Sequence, residues 1–152
     1  MFEEIRKRAI SVALKVFETM FYIPLELQEE GMPCLPSPSV YRAEIGFRGT
    51  QSGRMRLYLP SDLAKTMALN FMGLEEEEVT ESQAMDVTGE VCNMVCGNLF
   101  SELDKKTVWD LTMPQTLPVS YEEMVAGDPR AEIMVDFNAE GYAIKLNMEI
   151  EN

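Results

Sequence analysis

Histidine is absent from this chain of 152 residues. That removes Ser–His and Cys–His nucleophilic pairs, and with them the imidazole base that titrates near neutral pH. Cysteine is scarce: Cys34, Cys92 and Cys96 make an odd number without a disulfide-framework spacing. Cys92 and Cys96 stand four apart in a segment of helical periodicity, which suits small buried residues better than a metal site without imidazole. No metal site is expected on this chain. No apolar run approaches the roughly 20 residues of a membrane span. The N-terminal "MFEEIRKRAISVALKVF" has mixed charge where a signal peptide has an apolar block. A cytoplasmic protein with no membrane partner is expected. Positive charge is short too: 13 basic against 26 acidic residues leave a net −13, which disfavours nucleic acid as a partner.

The hydrophobic fraction of 46% can fill a core, and the length suits one domain over residues 1–152. Twelve methionines make a soft interior. Residues 2–21 carry Ile5, Ile10, Ala13, Leu14, Val16, Phe17 and Met20 at amphipathic-helix spacing, and Pro24 helps to stop the helix. Three prolines in "GMPCLPSPS" impose an extended loop. The period then changes to two in "YRAEIGFR" and "RMRLYL", joined by "GTQSG" as a hairpin. A short helix follows, with Ser61 expected as N-cap and Gly73 as C-cap. The acidic run at 75–78 reads as a solvated linker, and Thr80 with Gln83 has capping-box spacing for a long helix over about 81–104. A strand at "VWDLTM", a loop at "SYEEMVAGDPR" and a hairpin "AEIMVDF"–"YAIKLNMEI" complete the chain. The fold class is α+β, with helices packed on one face of a mainly antiparallel sheet.

The long helix contains "TGEVCNMVCGNLFSEL", with two glycines where each costs roughly 1 kcal/mol relative to Ala. At 100° per residue, Met85, Val91, Cys92, Val95, Leu99 and Leu103 form a buried stripe. Asp86, Glu90, Asn93, Gly97 and Ser101 lie opposite, with Gly89 on the flank and Phe100 nearby. A merely solvated face would favour Lys, Glu or Ala. Gly97, one turn beyond Asn93, leaves a hollow that lets another surface approach. Glu90 accepts hydrogen bonds and can pair with a lysine; Asn93 both donates and accepts, so it can hold a water in a fixed direction. Neither is a good nucleophile. The pair suits hydrolysis of an already reactive phosphoryl group, where catalysis is largely positioning.

At these residues the sequence resembles the CheC/CheX/FliY phosphatases of bacterial chemotaxis. Their signature is Asp or Ser, three residues, Glu, two residues, Asn and a distant Pro; "DVTGEVCNMVCGN" matches it at Asp86, Glu90 and Asn93. The CheX-like, CheC-like domain fits best. The resemblance implies a phosphatase acting on a phospho-aspartyl, CheY-like response regulator. Glu90 would pair with the receiver's active-site lysine and Asn93 would orient the attacking water, with Asp86 and Gly97 contacting the partner or positioning Glu90. It implies no cofactor on this chain, Mg2+ held by the receiver's carboxylates, and a homodimer for which the final strands are candidates. A second motif on the first helix is absent, since Phe21 stands where Glu18 would need its Asn. The family's Pro spacing falls on Thr116, flanked by Pro114 and Pro118, with Pro114 taken as the match. The rival reading is a non-catalytic module that docks on a receiver or flagellar switch protein.

Overall fold

The computed structural model describes residues 1–151, with Glu76 described through its backbone. Helix α1, Phe2–Phe21, buries Ile5, Ala9, Val12, Val16 and Phe17 along one stripe. It ends at Tyr22, whose left-handed φ of 58° turns the chain out of the helix. A two-residue strand β1, Glu26–Leu27, precedes the proline loop. Strands β2, Val40–Arg48, and β3, Ser52–Pro60, form the expected hairpin in the register Ala43↔Leu57. Their tight turn accepts the face of Trp109, which would collide with any side chain at Gly49.

Strand β3 runs directly into α2, Ser61–Met72. Ser61 is therefore the first helical residue and not the cap; Pro60 holds that position, and the Ser61 N–H is spent on Ser39 O at 3.0 Å. Gly73 caps the other end with φ 67°, as the pattern predicts. The acidic run forms a 3-10 turn, Glu76–Glu78, and not a plain linker. Helix α3, Glu81–Leu103, starts from a complete capping box: Gln83 N–H donates to Thr80 Oγ1 at 3.1 Å, and Thr80 N–H donates to Gln83 Oε1 at 2.9 Å.

The strand expected at "VWDLTM" is split. Only Asp110–Leu111 (β4) pairs there, and the longer strand is β5, Gln115–Val119. The segment expected as a loop contains α4, Tyr121–Ala126, capped by Ser120. Strands β6, Ile133–Ala139, and β7, Tyr142–Glu151, meet at a two-residue turn in which Glu140 and Gly141 both have positive φ, the geometry of a tight hairpin.

The sheet order is β1-β6-β7-β3-β2, with β4 and β5 sharing the outer side of β2; every strand pairing is antiparallel. Strand β7 lies between β3 and β6, so its edges are spent within the chain and are not open to a second copy. Helices α1, α2 and α3 cover one face and enclose the main core with Tyr41, Ile45, Leu57 and Leu146. The small helix α4 lies on the opposite face, where Met124 packs on Val40 and Tyr58. That face is otherwise ionic: Arg56 pairs with Glu44 and with Asp128, and Arg42 reaches Glu123 of α4 at 2.9 Å.

Two stability predictions follow from these contacts. Thr80→Ala should cost about 1 kcal/mol in denaturant unfolding, because it orphans an N–H at the start of α3. Asp128 is buried and accepts from Arg56 at 2.9 Å and from the Arg130 backbone N–H at 3.0 Å. Burial raises its carboxyl, but these bonds and the two guanidinium charges outweigh burial and hold it below the usual aspartate value. A depressed folded value stabilises above the unfolded value, and that stability is lost as pH falls through the folded one. Asp128→Asn should therefore cost about 2–3 kcal/mol at neutral pH, a deficit that disappears on the acid side of about pH 3.9.

Candidate phosphatase site

Helix α3 is held on most of its circumference. Val87, Val91, Val95 and Leu99 are buried in the core. Cys92 faces the sheet, its Sγ 3.9 Å from the carbonyl oxygens of both Ala43 and Met55. Burial pushes the Cys92 thiol well above its usual value and Cys96 up to about 12. Both stay protonated, which fits packing and excludes a thiolate nucleophile near neutral pH.

On the outward side, Asp86, Glu90 and Ser101 are exposed, while Asn93 and Gly97 are half-buried. Among the described residues, no hydrogen bond or ion pair engages the side chain of Asp86, Glu90 or Asn93. An i,i+3 carboxylate and carboxamide thus stand on one surface with all their hydrogen-bonding capacity unspent. On α1, Glu18 is exposed and Phe21 fully buried against Phe71, with ring centroids 5.1 Å apart. That helix presents no second carboxamide beside an acid. Met20, placed in the apolar stripe by its spacing, is exposed at the end of the helix.

The flank of the face differs from the expectation. Gly89 is buried: a Cβ there would lie 3.2 Å from Thr116 Oγ1 and 3.4 Å from Pro114 Cβ. The surface that comes close at this glycine is the chain's own β4–β5 segment. At Gly97 a Cβ would meet Leu111 at 3.7 Å, an ordinary contact, so the fold itself leaves room for alanine there. Phe100 is not beside the outward face either. It is buried, with its ring 4.2 Å from Phe47 and 4.5 Å from Trp109, closing the end of the core. Of the two prolines, Pro114 lies against the helix, while Pro118 sits in β5 opposite Tyr41. Sequence reasoning named Pro114 and Thr116 but missed that the 111–116 segment packs on α3, with Leu111 against Gly97 and Pro114 and Thr116 against Gly89. The available signal was two prolines four apart in "LTMPQTLPV", which mark an edge strand.

The family model for the chemotaxis phosphatase CheX matches residues 41–138, a stretch that spans the whole of α3 and the segment beside it. No curated protein matches the chain. Among solved structures, the chemotaxis protein CheX from Vibrio vulnificus aligns with a TM-score of 0.74 at 19% identity, over 97% of both chains. A chain of the CheX–CheY–BeF3–Mg2+ complex from Borrelia burgdorferi gives 0.72 at 21% identity, over 96% of this chain and 97% of that one. A CheC-like superfamily protein from Shewanella sp. PV-4 gives 0.71 at 18%, over 100% of both. Identities this low speak for the fold, and the family model covers well over half of the chain. With its helices and antiparallel sheet in agreement with these structures and the family model matched over residues 41–138, this chain belongs to the CheX family of chemotaxis phosphatases.

Proposed function

We propose that this protein dephosphorylates a phospho-aspartyl response regulator of the CheY type. The observation that carries the reading is the unpaired Glu90–Asn93 couple, half-exposed to exposed, on the one side of α3 that the fold leaves uncovered. A carboxamide free of internal partners is able to enter a pocket and bind there. The complex of a CheX with CheY, BeF3 and Mg2+ supports a receiver as the occupant.

In this reading Glu90 pairs with a lysine of the receiver's site, which orients the helix. Asn93 accepts from and donates to one water, and so directs a lone pair at phosphorus. A bond forms from the water oxygen to phosphorus while the phosphorus–oxygen bond to the aspartyl group breaks. The electron pair leaves with the aspartate carboxylate, and the water protons leave with inorganic phosphate or pass to solvent. The acyl phosphate is labile, which suits residues with no nucleophile of their own. The receiver's own carboxylates would hold Mg2+, which would supply positive charge to the transferred group. Asp86, one turn before Glu90, supports its placement, and Gly97 admits the receiver's surface closely. No helix among the described residues is long and apolar enough to cross a membrane, and the cytoplasm, where receivers act, is the proposed location. The reading includes a homodimer, joined elsewhere than along β7.

A docking module without activity would use the same surface but leave Asn93 without a task. Asn93→Ala should lower the stimulated rate of phosphate loss about 100-fold, with stability changed by less than about 0.5 kcal/mol. Hydrolysis at the wild-type rate by that variant would contradict the water-orienting role. Glu90→Ala should raise KM for the phosphorylated receiver about tenfold; a KM unchanged within error would argue against the lysine pairing.

A further inference from the structure

On the side away from the 111–116 segment, α3 meets α1 in an open groove of about 170 Å³. Lys15, Thr19 and Met20 line it from α1, and Asn98 and Glu102 from α3. At about 100° per residue, Glu90 and Ser101 form the crest of α3, with Asn93 on one shoulder and Asn98 on the other. Asn98 lies about 7.5 Å beyond Asn93 along the helix axis. One protein seated on the crest covers both shoulders, since a standard interface takes up roughly 800 Å² on each side. Helix α3 contains Glu81, Asp86, Glu90 and Glu102 but no Lys or Arg. A phospho-aspartyl site framed by Mg2+-binding carboxylates is acidic too, so acids alone on the docking surface would be repelled from its border. The groove supplies the opposite sign. Among the described residues that line it, Lys15 is the one cation. It is exposed, and no ion pair engages its ammonium among the described residues, although Glu102 stands across the groove.

We propose that Lys15, at the α1–α3 groove, is a specificity-determining residue that pairs with a carboxylate on the receiver's surface at the border of the docking site. This rests on the receiver being the partner of the Glu90–Asn93 face. The two ionic contacts are then opposite in sign: an acid on α3 takes a lysine, and a lysine on α1 takes an acid. A receiver with both groups at the matching separation satisfies both contacts. One with a basic residue at the second place meets Lys15 with repulsion, which is how such a pair discriminates. Lys15 stands outside the pocket that Asn93 enters, so it acts on docking and not on the step that breaks the phosphorus–oxygen bond.

The test is the affinity of the full chain for a receiver charged with BeF3 and Mg2+, with hydrolysis measured alongside. At an ionic strength of about 0.01 M, Lys15→Glu should weaken binding about tenfold, and at about 1 M less than about threefold, because salt screens the pair. Lys15→Arg, which keeps the charge, should stay within about twofold of wild type. Arg48→Glu makes the same charge change on the sheet face away from α1 and α3 and should also stay within about twofold. In Lys15→Glu the melting temperature should be unchanged, KM should rise about tenfold and kcat should stay within about twofold. Wild-type affinity in Lys15→Glu, an equal loss in Arg48→Glu, or a loss that persists at high salt overturns the proposal and leaves the phosphatase reading standing. Salt-sensitive weakening in Lys15→Glu alone, together with wild-type protein that accelerates no receiver's phosphate loss, keeps the contact and removes the phosphatase reading. Failure of the wild-type chain to bind any charged receiver overturns both.

Discussion

The orientation of α3 about its own axis is the constraint on which the site depends. Val91, Val95 and Leu99 are wholly buried, each stabilising the fold by about 1.5–3 kcal/mol. A rotation by one residue would bring polar groups inward, and burying the Glu90 carboxylate without a partner would be costly. The capping box at Thr80 sets where the helix begins, and the thiol of Cys92 against β2 and β3 sets how near it lies to the sheet. What this leaves over is a short outward strip with an acid and an amide whose side chains make no hydrogen bond or ion pair among the described residues. Functional groups without internal partners are available to a second molecule at no cost in broken bonds.

The two glycines of α3 answer to different demands. Gly89 is favoured by the fold, because a Cβ there would lie 3.2 Å from Thr116 Oγ1 and the 111–116 segment would have to give by a few tenths of an ångström. The helix accepts a cost of roughly 1 kcal/mol there in return for a wall beside Asn93. Gly97 is not required in this way, since Leu111 would tolerate a methyl at 3.7 Å. Its place one turn beyond Asn93 fits the close approach of another protein. Asn93, between the two glycines along the helix, is half-buried while Glu90 is exposed.

Long periodic elements were legible in the sequence. Helix α1, the β2–β3 hairpin, the β6–β7 hairpin and the capping box at Thr80 all stand where period and turn residues put them. The helix face was legible as well, because Asp86, Glu90 and Asn93 are spaced for one surface and nothing inside the fold competes for them. Short elements were not. Helix α4 carries its own cap in Ser120 and Glu123, but Gly127 and Pro129 just beyond read as loop. Strand β5 contains Pro118, which weakens any strand pattern and is tolerated only because β5 lies at the edge. Phe100 was misplaced because helical angle alone does not say how far around α3 the sheet and Trp109 reach. Periodicity reports which residues share a side, whereas the width of the covered sector is set by tertiary packing.

The proposed site holds no histidine and no ionised thiol, since Cys92 and Cys96 on the same helix are kept protonated by burial; the proposed chemistry is one of placement, and placement needs a substrate that is reactive already. An acyl phosphate in a receiver meets that need. The most direct measurement is the rate of phosphate loss from each purified, phosphorylated response regulator of the same cell, with and without the wild-type protein. Acceleration of at least one receiver by catalytic amounts is the predicted result. If every receiver decays at its own unaided rate, the exposed couple on α3 does not direct water at phosphorus.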